Sequence, residues 1–331
     1  MKIVLDGMGG DNAPGATVEG AVMAAKELGA HIIIVGVKDV LERELSKHGS
    51  HFSNIELHHA SETIDMHDPP AASVRKKKDS SINIAAKLVK EGKADAMVSA
   101  GNTGAVVCAT TLYLRLLKGI ERPGIGIVFP SLKGASLIID VGANIDPKPI
   151  HLYQYAVMGD VYSRAILKKF NPTVGLLNIG QEESKGTDFT KKAYNLCSRS
   201  RLNFIGNVEG PDLFNGRCDV IVCDGFVGNV VLKVSESLAE NLSALLKREL
   251  GVNFFTRIGA LFSKSALMAM KREMDYTEYG GAPLLGIDGT CIICHGRSTA
   301  KAIKNAVKVA MEFVDYQVNQ TIVDSVNRSN L

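Results

Sequence analysis

Ser99-Ala100-Gly101-Asn102-Thr103-Gly104-Ala105 lies between a short apolar run, Asp95-Ala96-Met97-Val98, and a mostly apolar stretch from Val106 to Leu114. The first run reads as a buried strand and the second as a helix. A strand that ends in small residues and opens a helix aims several backbone N–H groups at one point. Those groups have no acceptor inside the helix, and the helix dipole adds to their positive field. Gly101 and Gly104 let a ligand approach the backbone closely. Asn102 and Thr103 add side-chain donors. The guest that fits is an anion, and phosphate is the commonest. A tight strand–helix turn that binds nothing would use the same residues.

The signature recurs along the chain. Expected strands end in polar residues at Asp6, Ser99, Asp140, Asn178, Asp224 and His295, most of them followed closely by glycine. Ligands of open parallel sheets bind outside the carboxyl ends of the strands. Each polar end alone reads as a helix N-cap; six together predict one shared crevice.

The crevice lacks several familiar devices. There is no G-x-S-x-G elbow, no G-x-x-x-x-G-K-[ST] loop, and no G-x-G-x-x-G after a strand. Metal-ligand spacings are unconvincing. What remains is neutral donors around one cation, Lys185. Such a set suits an oxyanion substrate and a reaction that needs orientation more than an acid–base relay.

Strands must position these turns. They are expected near 3–6, 32–35, 55–58, 95–98, 124–129, 136–140, 173–178, 204–205, 219–223 and 290–295, with helices between almost all of them. Alternation of this kind predicts an α/β fold, a three-layer, doubly wound, mostly parallel sheet with helices on both faces. No linker or repeat divides residues 1–331, so a single domain is expected. A long helical region runs from about 230 to 272, and the last helix from about 298 to 325. Residues 61–81, with Asp68-Pro69-Pro70 and Arg75-Lys76-Lys77-Lys78, read as an irregular loop with concentrated positive charge.

The bulk composition narrows the class. The 331 residues are 46% hydrophobic, carry a net charge of +3 and include no Trp. That charge is too mild for a general nucleic-acid binder, and no recognition motif occurs. The N-terminus turns acidic too soon for a signal peptide, and no run of about 18 apolar residues occurs, so a cytoplasmic protein is expected. Six cysteines are expected as free thiols. Cys291-Ile292-Ile293-Cys294-His295 matches a c-type haem attachment pattern formally. As a buried strand it would place Cys291 and His295 on one face and Cys294 on the other. Neither a metal nor a cofactor is expected.

The motifs Asp6-Gly7-Met8-Gly9-Gly10-Asp11, Ser99 to Ala105, Gly119 to Pro123, Asp140 to Asn144, Asn178-Ile179-Gly180 with Lys185-Gly186, Asp219 to Phe226 with Gly228-Asn229, Gly281 to Gly286, and His295-Gly296 run the length of the chain. In this order they resemble the acyl-carrier-protein:phosphate acyltransferase family of bacterial phospholipid synthesis. Gly7 stands where that pattern has Ala or Val, and Gln181 where it has Glu. The resemblance implies an isocitrate dehydrogenase-like fold. It implies transfer of a long-chain acyl group from acyl carrier protein to inorganic phosphate, giving acyl phosphate. Phosphate dianion needs no strong base to attack, and a thiol of pKa about 8.5 leaves readily.

On that resemblance Lys185, Asn229 and His295 are the catalytic candidates. Asp6, Gly9, Gly10, Asp11, Ser99, Asn102, Thr103, Gly104, Asn144, Asn178, Gly180 and Asp224 are the substrate-binding ones. Lys185 would neutralise phosphate, and Asp6 and Asp11 would orient loops. The alternatives are phosphotransacetylase-like transfer from an acyl-coenzyme A, or a non-catalytic, membrane-associated scaffold that binds carrier protein.

Three partner surfaces follow. Carrier proteins are acidic as a class, which makes Arg75, Lys76, Lys77 and Lys78 a docking candidate. The resemblance suggests a homodimer. Residues 233–272 are expected as a projecting helical hairpin. In its second arm Phe254, Phe255, Ile258, Leu261, Phe262, Met268 and Ala269 gather on one side of a helical wheel, with Arg257, Lys264 and Lys271 along the edge. Leu267 and Met270 fall outside the apolar arc, and Arg272 inside it. That face either packs on the upstream stripe Val234, Leu238, Leu242, Leu245 and Leu246 or on a second subunit, or rests on an anionic membrane with Phe254, Ile258, Leu261 and Phe262 in contact. A membrane acyltransferase is a further possible partner.

Overall fold

Aliphatic runs with little polar interruption build the centre of the molecule, as expected of strands buried on both faces. In a computed structural model, residues 1–49, 52–268 and 280–328 are described. The strands in chain order are β1 (Lys2–Asp6), β2 (His31–Gly36), β3 (Ile55–His59), β4 (Ala96–Ser99), β5 (Gly124–Ser131), β6 (Gly134–Ile139), β7 (Val174–Leu177), β8 (Phe204–Val208), β9 (Val220–Val222), β10 (Ala282–Leu285) and β11 (Cys291–Ile293). They form one sheet in the order β3-β2-β1-β4-β11-β10-β5-β6-β9-β7-β8.

The helices are α1 (Gly15–Glu27), α2 (Lys38–Ser46), α3 (Pro70–Lys76), α4 (Ser81–Lys90), α5 (Thr103–Tyr113), α6 (Pro149–Ala165), α7 (Asp188–Ser198), α8 (Gly225–Leu250), α9 (Phe254–Phe262), α10 (Ala300–Asp315) and α11 (Val318–Arg328). Strand alternation sends neighbouring side chains to opposite faces. Val4, Met97, Ile138 and Ile221 point to one face, with α4, α5 and α8 over it. Ile3, Leu5 and Val98 point to the other, under α1 and α10. Leu137, Val220 and Val222 continue that second face under α6, α7 and α11. Each fully buried aliphatic side chain contributes about 1.5–3 kcal/mol of burial. The molecule is therefore three layers deep, as predicted.

Strand direction is where the fold departs from the simple picture. β10 runs antiparallel to both of its neighbours, β11 and β5, and β5 runs antiparallel to β6. The remaining pairs are parallel. Thus β1, β4 and β11 end at one rim of the sheet, while β6, β7 and β9 end at the opposite rim. The six polar strand ends do not share one crevice: Asp6, Ser99 and His295 fall on the first rim, and Asp140, Asn178 and Asp224 on the second. The strand that helps reverse direction, β10, was not legible. It is short, contains Pro283, and is bounded by Gly281 and Gly286, whose φ angles are +85° and +89°; such a stretch reads as a turn.

Three other expectations change. Residues 70–76 are helical because Pro70 pre-sets the first turn, and Ser73 and Val74 are buried beneath it. The last helix breaks at Gln317, whose φ is +49°. The long helical region ends at Leu250, and Asn253 opens α9 by accepting the Thr256 N–H at 3.0 Å. Val234, Leu238, Leu242, Leu245 and Leu246 of α8 are exposed, and α9 buries no residue. The two arms therefore do not cover each other's apolar stripes. Ala269, Met270, Lys271 and Arg272 lie outside the described residues.

Candidate functional site

On the first rim three neighbouring strands end in turns that brace each other. Asp6 is fully buried and accepts the Ser99 hydroxyl at 2.7 Å and the Met8 N–H at 3.2 Å. Burial raises its carboxyl above the ordinary carboxylate range, against the pull of those hydrogen bonds. Ser99 Oγ in turn accepts the Gly101 N–H at 3.1 Å. A Cβ on Gly9 would collide with the Asp6 carboxylate and the Gly101 backbone. The Asp11 N–H donates to the Gly296 carbonyl at 2.8 Å. Asp6, Gly9, Gly10, Asp11 and Ser99 thus hold the turns together.

Asn102 is also engaged. Its Oδ1 caps α5 through the Ala105 N–H at 3.1 Å. Its amide donates to the carbonyls of Asp65, Met66 and Asp68 at 3.3, 3.0 and 3.1 Å. The expected ligand donor is a cap and a clamp on the preceding loop. The backbone N–H groups of Thr103 and Gly104 remain at the open end of α5, with the exposed Thr103 side chain beside them.

On the second rim Asp140 plays the part of Asp6. It is fully buried, and its carboxylate accepts N–H groups of Ile125, Gly142, Ala143 and Asn144 at 3.0, 3.1, 2.9 and 2.7 Å. Burial still raises its pKa. The Asn144 amide donates to the Pro123 carbonyl at 2.6 Å and to the Tyr155 hydroxyl at 2.7 Å. Asp224 caps α8, accepting from Phe226 and Val227 at 3.0 and 2.9 Å. Asn178 shapes its own loop, donating to the Lys185 carbonyl at 3.2 Å. Gly180 lies directly beneath the Lys185 side chain.

Lys185 and Asn229 differ from these braces. Both are exposed, and neither side chain has a hydrogen-bond or ion-pair partner among the described residues. Asn229 lies beside Gly142, within 3.9 Å of where a Cβ there would stand.

α8 joins the rims. Its first turn sits on the β6 turn because Gly228 leaves room for the Asp140 carbonyl and Gly225 for that of Asn144. The helix then crosses the sheet, packing Val231 and Leu232 on the core. Lys233, Glu236, Ser237 and Glu240 reach the first rim, where they line a cavity of about 260 Å³ with His295, Arg297, Ser298 and Thr299. Lys233 pairs with Glu236 at 2.9 Å, and Arg297 with Glu240 at 3.7 Å.

His295 Nδ1 accepts the Arg297 N–H at 3.1 Å, so the neutral ring carries its proton on Nε2. The cavity holds two cations each paired with a carboxylate, an imidazole Nε2 and the N-terminus of α10, so an oxyanion would bind there by taking the place of Glu236 and Glu240 on Lys233 and Arg297. Asn229 lies one helical turn from Lys233 on the same side of α8. Lys233 shares its cavity with His295, and Asn229 stands one turn before Lys233 on α8; Lys185 does not line that cavity.

Lys233 and Arg297 were missed from the sequence. Arg297 follows His295-Gly296 directly, a cue that was available. Lys233 looks like any exposed helical lysine until the tertiary structure faces it toward His295. Cys291 and Cys294 are buried on opposite faces of β11, and no group of metal-ligating side chains occurs among the described residues. Burial raises the pKa of the Cys294 thiol to about 12.

Residues 1–321 match the family model described as fatty acid synthesis protein. The chain belongs to that family. It is 51% identical over 329 residues to a phosphate acyltransferase from Geotalea daltonii, covering 99% of this chain and 95% of that protein. The phosphate acyltransferase of Geobacter sulfurreducens is 49% identical over 326 residues, covering 98% and 94%. The chain is an acyltransferase of this family.

Among solved structures, the EutD phosphotransacetylase from Staphylococcus aureus superposes with a TM-score of 0.59 at 17% identity, covering 97% of this chain and 94% of that one. A phosphotransacetylase from Streptococcus pyogenes gives 0.59 at 19%, covering 99% and 94%. These two share the fold.

Proposed function

We propose that this protein moves a long-chain acyl group from acyl carrier protein to inorganic phosphate, giving an acyl phosphate for phospholipid synthesis. Membership of the family and the name of its relatives support the reaction class. The observation that supports the reading here is the polar side of α8, where Lys233, Arg297 and His295 line one cavity of about 260 Å³.

Phosphate, held by Lys233 and Arg297, attacks the thioester carbonyl carbon through one oxygen. A C–O bond forms and the C–S bond breaks. Asn229 donates to the developing oxyanion, and the thiolate leaves toward the His295 Nε2–H, which hydrogen-bonds to it while solvent supplies the proton that gives the free thiol. Lys233 and Arg297 are paired with Glu236 and Glu240, so phosphate binds by displacing those carboxylates from the two cations, which then stabilise developing charge in a partly enclosed site. Lys185 stands as a second-rim cation for an anionic part of the donor. The braces at Asp6 and Asp140 hold the turns and take no part in bond making.

Arg75, Lys76 and Lys78 are exposed on α3 and just beyond it, and they form the docking face for the acidic carrier. Lys77 is engaged with Asp68 at 2.7 Å and lies outside that face. Exposed Phe254, Leu261 and Phe262, with Ile258 partly exposed, let α9 rest on a membrane surface from the cytoplasmic side. No helix among the described residues is long and apolar enough to cross one. A homodimer burying part of α8 completes the picture, with residues 1–331 acting as one acyltransferase domain.

The test is direct. Purified protein, hexadecanoyl carrier protein and phosphate yield a hydroxylamine-reactive product without added metal or nucleotide. Product from hexadecanoyl-coenzyme A alone would favour the phosphotransacetylase-like reaction, and product from neither thioester would leave a binding scaffold.

A further inference from the structure

We propose that Tyr155 is a positioning residue: its hydroxyl fixes the Asn144 turn against the first turn of α8 and so places Asn229. This rests on the acyl-transfer reading above, in which Asn229 donates to the developing oxyanion. Tyr155 lies within α6 and is fully buried. Gly124 leaves room for its ring, since a Cβ there would stand 3.1 Å from two ring carbons. The hydroxyl donates to the Pro123 carbonyl at 3.3 Å and accepts from the Asn144 amide at 2.7 Å. With its one donor and an acceptor site both used, the phenol holds Asn144 in one place. Burial pushes its pKa well above the ordinary phenol value, so the hydroxyl keeps its proton at every assay pH.

Asn144 passes that position on to α8. Its backbone N–H donates to the Asp140 carboxylate at 2.7 Å, and its carbonyl accepts the Gly225 N–H at 2.8 Å. Gly225 is the first residue of α8, and a Cβ there would collide with the Asn144 carbonyl and the Asp140 carboxylate. Gly142, in the same turn, lies beneath Asn229, one turn further along the helix. The 140–144 turn therefore meets α8 at Gly225 and again at Asn229, and the helix cannot shift over the turn without losing one of those contacts. The Asn144 side chain ties the turn to α6 through Tyr155 and to the start of β5 through Pro123. Helices move as rigid bodies, so a displaced Asn144 displaces Asn229. A donor to a developing charge tolerates little misplacement, and a small error in position costs a large factor in rate. A hydroxyl that served stability alone would lower Tm and leave kcat of the folded protein unchanged.

The experiment compares the full-length wild type with Tyr155→Phe, Asn144→Ala and the double variant. Phenylalanine keeps the ring beside Gly124 and removes the hydroxyl alone. For each protein, kcat and KM are measured with hexadecanoyl carrier protein and phosphate, and amide exchange is followed over residues 224–229. Tyr155→Phe is expected to lower kcat about tenfold, to leave KM for phosphate within about threefold, and to speed exchange in that segment. Asn229 acts in the transition state, so the loss falls on kcat. The double variant is expected to be no slower than Asn144→Ala, because the hydroxyl acts through that amide. Wild-type kcat in Tyr155→Phe would overturn the proposal. So would losses that multiply in the double variant, which is how two independent sites behave. If Tyr155→Phe does not fold, Asn144→Ala decides: a loss of about tenfold in kcat with faster exchange supports the proposal, and wild-type values overturn it. If the wild type forms no acyl phosphate, the acyl-transfer reading fails by itself. Exchange then decides the positioning: faster exchange over 224–229 in Tyr155→Phe, not increased further in the double variant, supports it, and wild-type exchange overturns it.

Discussion

Asn229 and Lys233 stand one turn apart on α8, and Lys233 lines the cavity of His295 while Asn229 sits over the Asp140 turn. On the function proposed above, that relationship makes Lys233 rather than Lys185 the cation that neutralises phosphate. Lys233→Ala is expected to lower kcat/KM for phosphate by about 10- to 100-fold, the loss of one charge-assisted contact at about 1.5–3 kcal/mol. Lys185→Ala is expected to act on the thioester donor instead. Unaltered phosphate kinetics in a folded Lys233→Ala protein would move the phosphate site to the second rim.

Asn102 combines a helix cap with three bonds to loop carbonyls, and it is 7% exposed. Asn102→Ala therefore costs about 2–4 kcal/mol of unfolding free energy. Denaturant titration measures this. A loss below about 0.5 kcal/mol would mean that water replaces the clamp.

The basic run divides into two roles. Replacing Arg75, Lys76 and Lys78 together by Gln is expected to raise KM for the acidic carrier several-fold and to flatten its salt dependence. Lys77→Met is expected to lower Tm, because Lys77 also donates to the Thr63 carbonyl at 2.8 Å and ties the loop to α3. Equal effects of the triple and the single variant on carrier KM would erase that division.

α9 presents Phe254, Phe255, Leu261 and Phe262 at 72%, 82%, 69% and 83% exposure. The wild type is expected to sediment with anionic vesicles more than with neutral ones, and Leu261→Glu to lose that binding while remaining folded. Wild type that stays free of both vesicle types would return this face to protein packing.

The thiols make a pH-dependent marker. Burial raises the pKa of Cys197, Cys218 and Cys294 to about 12, and Cys223 and Cys291 shift in the same direction. The thiolate is the reactive form, so at pH 8 these five stay protonated and inert. Half-buried Cys108 is expected to react first with a disulfide reagent in the native state. Rapid loss of several thiols before unfolding would contradict this burial.

The order of strands and helices, the layers of the core and the small-residue turns at strand ends were legible in the sequence. Side-chain period and helix capping are local properties, and β1, β4, α4 and α5 show them plainly. Strand direction was not legible, because a period of two reads the same in parallel and antiparallel ladders. β10 and the β5–β6 hairpin reversed half of the sheet, and with it the places of Asp140, Asn178 and Asp224. The clamp of the Asn102 amide on the carbonyls of Asp65, Met66 and Asp68, the cavity that Lys233 shares with His295, and the bare apolar wall from Val230 to Leu242 depend on what lies across space from each side chain. The sequence by itself determined that this chain would carry Gly-rich turns and helix N-termini at the ends of its strands. Only the tertiary structure decided which turns meet, because one helix seated on Gly228 crosses from one rim to the other.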